Sequence, residues 1–387
     1  MRVISLFLLF LWPTLSFADL SFGDKSDNCN FSSAQTLTKS VWNCDDLIVA
    51  SGVTLSFSST LTSRVVFQVQ GVVTIEGSID VSATDADGTA SNGDEAPGPG
   101  GYSGGECSAS VICNATGGSA SGTNAGGGGL TGVTDNVGHG GGGGGAGGAY
   151  RTAPSAGTAG GSSVTSAAGA AGTAGSPISV ASTFSSATPG GAGGGAGGSG
   201  QDSGSNYVTG GRGGAGAGAL VIVSKGRIVL DATGSLLANG GDGGDGSVNA
   251  FVGSGGGGGG SGGAIYLISL SSVTLDGSVN VNGGASGTGG AAGVSGGNGG
   301  AGGLGQVRVD SSSGSYSGST VIPGVYQSTP PTNITDPFDL NFESDIDYGC
   351  SYKAADSERA DFLIAFLIGL LFMGPLWRIG RAIHHRR

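Results

Sequence analysis

Three serines stand in the Gly-x-Ser-x-Gly arrangement that some hydrolases use to present a nucleophile: Ser103, Ser261 and Ser295. Such a serine needs a sharp strand-to-helix turn and a histidine that acts as its base. No strand followed by a helix surrounds any of the three, and His139, inside a glycine run, is the only histidine before the C-terminal tail. In a chain rich in glycine and serine such matches arise by chance. The sequence therefore assigns no catalytic residue and predicts a protein that is not an enzyme.

Two carboxylates lie in the segment Gly-Gly-Asp-Gly-Gly-Asp-Gly-Ser-Val, which begins at Gly240. The segment resembles the calcium-binding nonapeptide of RTX proteins, and on that resemblance Asp242 and Asp245 are the candidate metal ligands. Ser247 replaces the large apolar residue of that motif, and no tandem copy shares the ion between successive turns. Calcium is thus a weak expectation, solvated turn carboxylates are the alternative, and no other cofactor is expected.

A third acidic set falls between strand-like segments. Asp80, Asp231 and Asp276 occupy similar points of a repeated pattern and would line one side of the molecule if the repeats stack. Pectin-cleaving β-helices assemble acidic sites across their coils in this way. Solvated turn carboxylates again provide the simpler interpretation.

The five cysteines suit an oxidising compartment. Cys29 and Cys44 bracket one short segment, and Cys107 and Cys113 bracket another. Two local disulfides are the simplest pairing, although four cysteines allow three connectivities. Cys350 remains, just before an apolar C-terminal segment.

Short β-rich segments separated by turn residues would have to position these groups. The pattern around residues 47–81 returns at 219–240, again at 264–283, and in truncated form at 305–310. Repeats of this kind indicate stacked coils whose valine, isoleucine and leucine side chains share one continuous core. We therefore predict a mainly β protein of repetitive, β-helix-like stacked coils. A β-sandwich is the rival, but the turns lack the Asn-Gly signals typical of hairpins.

Glycine accounts for 86 of 387 residues, and much of it recurs at every third position, most regularly over 284–305. A period of three is the pitch of a polyproline-II-type helix, and glycine on its faces allows backbones to pack directly together. We expect polyglycine-II-type rods that fold back on themselves. A flexible linker is the alternative that composition alone would favour, and collagen is disfavoured because proline is nearly absent from these runs.

Charge excludes one class of partner. The chain carries a formal net charge of −12, and most of its basic residues lie outside the glycine-rich part. An acidic surface repels phosphate backbones, so no nucleic-acid binding is expected.

The two ends of the chain indicate export and anchoring. Residues 1–18 have the basic start, short apolar core and small residues of a secretory signal cleaved after Ala18. Residues 361–377 form the predicted transmembrane helix, of which 362–377 carry no charge and are near the lower length limit for a membrane span. The arginines in 378–387 place the tail in the cytoplasm by the positive-inside rule. The expected location is therefore the cell surface or the extracytoplasmic face of a membrane.

The last residues also resemble a known class of sorting signal. A Gly-Cys-Ser segment at Cys350, a spacer, an apolar helix and terminal arginines look like the MYXO-CTERM tripartite signals of glycine-rich bacterial surface proteins. The resemblance implies processing near Cys350 and transfer to the cell surface. A permanent single-span anchor is the alternative, since the spacer is long and charged.

These observations divide the chain into a signal peptide and six further parts. They are N-terminal β-rich coils (19–83), a glycine/serine-rich insertion (84–213), repeated β-coils with glycine rods (214–310), an acidic stalk (311–360), the transmembrane helix (361–377) and a basic tail (378–387). The function we expect is structural or adhesive, through a rigid glycine-rich surface that contacts polysaccharide or another cell. An ice- or crystal-surface binder and a polysaccharide-active β-helix enzyme are the alternatives.

Overall fold

The computed structural model describes the glycine-rich and β-rich part of the chain. Its described residues are 26–84, 96–106, 124–132, 139–163, 166–177, 189–204, 206–320 and 325–329. They all belong to the first of two compact units, Met1–Asn341, and not to the second, Phe342–Arg387. The predicted signal peptide with Ala18, the transmembrane helix, Cys107, Cys113 and Cys350 lie outside the described residues.

Within these ranges the chain is mainly β, and the strands are short. They are β1 (Asn30–Phe31), β2 (Gln35–Leu37), β3 (Val41–Cys44), β4 (Leu47–Val49), β5 (Thr54–Phe57), β6 (Val65–Val69), β7 (Val73–Ile75), β8 (Ser78–Asp80), β9 (Gly200–Gln201), β10 (Tyr207–Val208), β11 (Ala219–Ser224), β12 (Ile228–Leu230), β13 (Ser235–Leu237), β14 (Ala264–Ser269), β15 (Val273–Leu275), β16 (Ser278–Asn280), β17 (Gln306–Asp310) and β18 (Tyr326–Ser328). In this part of the chain no helix is long and apolar enough to cross a membrane.

Strands β9 and β10 pair with each other in antiparallel fashion, and the other strands form three parallel sheets. Each turn of the chain adds one strand to each of these three sheets in order. The sheets run β3-β6-β11-β14-β17-β18, β1-β4-β7-β12-β15 and β2-β5-β8-β13-β16. Thus β11, β12 and β13 make one coil, and β14, β15 and β16 make the next. The repeated segments of the sequence lie directly on one another. This parallel stacking confirms the predicted coils and rules out the β-sandwich.

Matching register places apolar side chains in ladders through the interior. Ile222 pairs with Phe67 on one side and Leu267 on the other, and all three are fully buried. Each such side chain contributes about 1.5–3 kcal/mol through removal of apolar surface from water. Because each ladder runs through successive coils, a single coil could not hold this core alone.

The first coils are fastened by a disulfide. Cys29 and Cys44 are bonded, with Cα atoms 5.7 Å apart, and both side chains are buried. The Trp42 ring lies edge-on to Phe31 and stacked over Phe67, with centroids 5.9 and 6.2 Å apart respectively. This predicted local disulfide is therefore confirmed, and it joins a cluster that fills the start of the stack.

The coils continue further than the sequence indicates. Residues 311–320 and 325–329 fall in the predicted stalk, yet they add to the end of the stack. Ser317 forms a parallel bridge with Thr274, and β18 pairs with β17. The Tyr316 side chain packs against the core. The predicted start of the stalk at residue 311 is therefore too early, because serine and glycine dominate the segment and hide its short strand.

Candidate functional site

Glycine-rich rods leave the coils at one corner, between the third strand of a coil and the first strand of the next. One excursion joins β13 to β14 and another joins β16 to β17, and each runs outward and returns as two extended rods. The long insertion between β8 and β11 supplies further rods. The described rods are 96–106, 124–132, 139–149, 151–163, 166–177, 189–201, 209–218, 238–247, 252–263, 281–290 and 294–305.

The amide groups of rod 139–149 point in three directions that repeat at every third residue. Gly144, Gly145 and Ala146 are consecutive, and each donates to a different neighbouring rod. Their acceptors are Thr158 O at 2.8 Å, Gly256 O at 2.9 Å and Gly127 O at 2.9 Å. The same three neighbours receive the hydrogen bonds of the residues three positions earlier and later.

The carbonyl groups of the same rod contact three more rods. Gly144, Gly145 and Ala146 accept from Gly172 N at 2.9 Å, Gly300 N at 2.8 Å and Gly195 N at 2.8 Å. Rod 139–149 therefore has six hydrogen-bonded neighbours. Rod 252–263 also has six, because Gly256, Gly257 and Gly258 donate to three rods and accept from three others. Buried backbone groups must be paired, and the central rods meet this demand without any sheet.

Close packing of this kind requires residues without side chains. A Cβ atom added to Gly144 would overlap the carbonyl oxygen of Asn298, and one added to Gly258 would overlap that of Ala146. Both obstacles are backbone atoms, which no rotamer change can move aside. The triplet glycines of the sequence are thus the positions at which rods touch.

Side chains complete the hydrogen bonding at the edge of the bundle. Ala285 N donates to Asp242 Oδ1 at 2.6 Å, and Thr288 N donates to Asp245 Oδ1 at 2.7 Å. Asn298 N similarly donates to Thr158 Oγ1 at 2.7 Å. Edge rods have fewer neighbouring backbones, and triplet-spaced oxygen atoms replace the missing carbonyls.

The two aspartates of the calcium-like motif therefore lie on a rod rather than in a turn. Asp242 and Asp245 face the adjacent rod 281–290, and their Oδ1 atoms accept hydrogen bonds from backbone amides of that rod. Among the described residues no group of three or more His, Cys, Asp or Glu side chains is placed to hold a metal ion. The contacts observed at both residues are those of a structural acceptor.

We predict that Asp245→Ala loosens the neighbouring rod and that Asp245→Asn does so far less. The carboxylate accepts from both the amide and the hydroxyl of Thr288, and its loss should cost about 1 kcal/mol at this exposed edge. Hydrogen exchange of the Thr288 amide should accelerate several-fold in the alanine variant. The asparagine variant keeps an oxygen acceptor, so equal acceleration in both would contradict this role.

Three rods on one side of the bundle present a face of small side chains. Rods 151–163, 294–305 and 281–290 lie in this order, with hydrogen bonds between neighbours. Exposed residues on these rods, many of them three positions apart, include Ser155, Thr158, Ser295, Asn298, Ala301, Ala285 and Thr288. At ~3.1 Å per residue the triplet spacing is about 9 Å. We call these seven residues the small-residue face.

A second group gathers at the rod ends far from the coils. The rings of His139 and Phe251 stack at a centroid distance of 5.3 Å and an interplanar angle of 3°. Ser203 N donates to His139 Nδ1 at 3.3 Å. The Asp202 carboxylate is almost fully buried and accepts from the side-chain amide of Asn249 at 3.2 Å. We call the group Asp202, Asn206, Tyr207, Asn249 and Phe251 the distal cluster.

Among the described residues, none of the three Gly-x-Ser-x-Gly serines hydrogen-bonds to His139. Ser261 is buried inside the bundle, and its Oγ accepts from Ala192 N at 2.7 Å. Ser103 is exposed on another rod, and Ser295 lies on the small-residue face, where its hydroxyl donates to Ala292 O. The structure therefore places these serines on rods as packing or surface residues.

The third acidic set is only partly aligned. Ile75, Leu230 and Leu275 pair across the coils, so the residues that follow them, among them Asp231 and Asp276, stand in line. Asp80 instead lies in β8, in the next sheet of the coil, where it pairs with Leu237. The expectation that all three stack is wrong, because the first repeat has Glu76 at the matching position.

These carboxylates serve local turns and neighbouring coils. Asp80 Oδ1 accepts from Ser82 N at 2.9 Å, and Asp276 Oδ1 accepts from Ser319 N at 3.0 Å. Asp231 and Asp276 are exposed at a coil corner. Their hydrogen bonds are those of turn-stabilising side chains.

The distal cluster is not among the sites predicted from the sequence. Its residues follow no motif, and they are brought together by rod ends that are distant in sequence. The available signal was the presence of Tyr207 and Phe251 between glycine tracts, in a chain whose aromatic content is only 6%.

No protein-family model, no curated protein and no solved structure matches the chain.

Proposed function

We propose that the protein is an extracytoplasmic structural or adhesive surface protein that presents a rigid glycine-rich contact surface. The observation that carries this proposal is the pair of central rods, 139–149 and 252–263, each hydrogen-bonded to six neighbours. We infer that the rods are polyglycine-II-type helices, because hydrogen-bond directions that repeat at every third residue match a threefold helix. Hydrogen bonds between the rods, in place of a hydrophobic core, make such a bundle resistant to deformation.

Rigidity is of use to a protein that makes contact at a distance from its anchor. The rod pairs that precede and follow the coil of β14 are continuous with strands of the coils. Force on a rod is therefore transmitted to parallel sheets whose strands are hydrogen-bonded to one another. We propose that residues 361–377 anchor the chain, with the tail 378–387 in the cytoplasm, or that processing near Cys350 releases it to the cell surface. Polysaccharide or another cell surface is the partner class that we propose.

Adhesion and surface display can be measured together on cells that make the full chain. We expect a membrane-impermeant reagent to label the protein on intact cells, and we expect these cells to resist detachment under flow from polysaccharide-coated surfaces. Cells that make the same amount of a bundle-disrupted variant, Gly144→Ala, should be labelled yet detach. Labelling only after cell lysis, or equal detachment with and without the protein, would refute the proposal.

The small-residue face favours a second candidate, binding to ice or another crystal surface. Residues such as Thr158, Asn298 and Ala301 are exposed at regular intervals on adjacent hydrogen-bonded rods. A flat array of small groups can match the spacing of a solid lattice. Thermal hysteresis by the purified full chain would support this candidate, and its absence would leave adhesion as the proposal.

A further inference from the structure

We propose that the distal cluster is a binding site for a neutral polysaccharide. This inference rests on the proposed adhesive function and assigns the contact to the rod ends rather than to the small-residue face. The site consists of the exposed Tyr207 ring, the face of the Phe251 ring opposite His139, and the exposed side chain of Asn206. Asp202 and Asn249 do not contact the ligand but support the two loops.

Exposed apolar groups are concentrated at this end of the bundle. Of the seven exposed large hydrophobic side chains in the described ranges, three belong to two neighbouring loops here: Tyr207, Val248 and Phe251, at 44%, 53% and 56% exposure. Exposed aromatic side chains on loops of a rigid scaffold are more typical of binding than of folding.

The loops that carry the rings are held in place by hydrogen bonds. Asn249 Oδ1 accepts from the amides of Phe251 and Val252 at 2.9 and 2.8 Å, which fixes the turn that presents Phe251. Asp202 Oδ1 accepts from the amides of Gly204 and Asn206, both at 2.9 Å, which fixes the turn before Tyr207.

One hydrogen bond ties the two turns together. Asn249 Nδ2 donates to Asp202 Oδ2 at 3.2 Å, so the two aromatic loops share a single polar support. Burial alone would raise the pKa of Asp202, but the hydrogen bonds from Asn206 and Gly204 outweigh it and lower that pKa. The carboxylate thus stays ionised and keeps both loops ordered. A preorganised site loses less entropy when it binds a ligand.

The chemistry of the cluster fits a sugar. A pyranose offers an apolar face of C–H groups that packs on an aromatic ring, and hydroxyls at its edge that pair with amides and carboxylates. Loops rich in tyrosine, asparagine, serine and glycine are also the usual components of adaptable binding surfaces. Asn206 and Tyr207 are both exposed and adjacent, so one supplies the amide and the other the ring.

Charge selects among polysaccharides. In the sequence, segments 202–207 and 248–252 contain no lysine or arginine. Asp202 is ionised, and Asp245 lies three residues before Val248, on the rod that leads into the second loop. An anionic polymer would meet repulsion from these carboxylates, and neither loop has a lysine or arginine to offset it. A protein partner is less well suited, because stable interfaces bury about 800 Å² per partner and are usually enriched in arginine.

The test uses the full chain purified in detergent and a panel of soluble polysaccharides. The neutral probes are a β-glucan, a mannan and a galactomannan, and the anionic probe is polygalacturonate. We expect affinity electrophoresis to show retardation by at least one neutral polymer and none by polygalacturonate. Tyr207→Ala and Phe251→Ala should each weaken the binding at least 10-fold.

Leu304→Ala is the matched control. Leu304 is 41% exposed, but it lies two residues before β17, at the end of rod 294–305 that joins the coils. This variant should bind as the unmodified chain does, and all three variants should show unchanged thermal unfolding. Binding of no neutral polymer, a preference for polygalacturonate, or an equal loss in Leu304→Ala would overturn the site. Cell adhesion that persists in Tyr207→Ala and Phe251→Ala would also overturn it, while leaving the proposed adhesive function intact.

Discussion

The Gly144→Ala variant is expected to lose the rod bundle while it keeps the coils. The new Cβ would overlap the carbonyl oxygen of Asn298 in a rod that is itself held by several neighbours. Relief requires movement of a backbone in the bundle interior, which we expect to cost at least about 3 kcal/mol. Hydrogen exchange should show loss of protection across rod 139–149, with β6 and β11 still protected.

Gly161→Ala provides the control for this substitution. Gly161 lies on the adjacent rod 151–163, where the nearest atom to an added Cβ is Ser295 O at 3.2 Å. A displacement of a few tenths of an ångström accommodates that methyl group, so protection should stay near that of the unmodified chain. If both variants behave alike, direct contact between rod backbones does not limit the bundle.

The Phe67→Ala variant is expected to destabilise the stacked coils by about 3–5 kcal/mol. Phe67 is fully buried, pairs with Ile222 in the next coil and stacks on the Trp42 ring. Its removal leaves a cavity at a point where two coils and the disulfide-linked start of the stack meet. Chemical denaturation monitored by tryptophan fluorescence would measure the change.

Ile48→Ala is the comparison for this core prediction. Ile48 lies in β4 between two fully buried residues, but its own side chain points outward and is 38% exposed. Its truncation should cost less than about 1 kcal/mol, as is usual at exposed positions. A similar loss from both variants would show that stability does not reside in the interior ladder.

The coils could be predicted because their signal is local and repeated. The apolar runs Ala219–Ser224 and Ala264–Ser269 resemble each other position by position, so their alignment in sequence equals their register in space. The triplet glycines also predicted rods that fold back, as rods 281–290 and 294–305 do. In both cases one short period in the sequence fixes one repeated contact.

Partners across the bundle could not be predicted. Gly144 pairs with Thr158 through its amide and with Gly172 through its carbonyl, yet no feature of glycine distinguishes these rods from any others. Because the neighbouring rod cannot be identified from the sequence, the role of Asp245 as an acceptor for that rod could not be predicted either, and its motif indicated a metal ligand instead. Asp80 was misaligned because its repeat has an acidic residue at two different places, Glu76 and Asp80.

The central position of rod 139–149 has a consequence for the order of events during biogenesis. Gly148 donates to Gly259 and accepts from Gly303, so its two partners are synthesised long after it. Contacts that span so much chain form slowly. The amides of rod 139–149 therefore stay bonded to water until almost the last coil has been synthesised. The C-terminal rods are the last to form hydrogen bonds with the centre of the bundle.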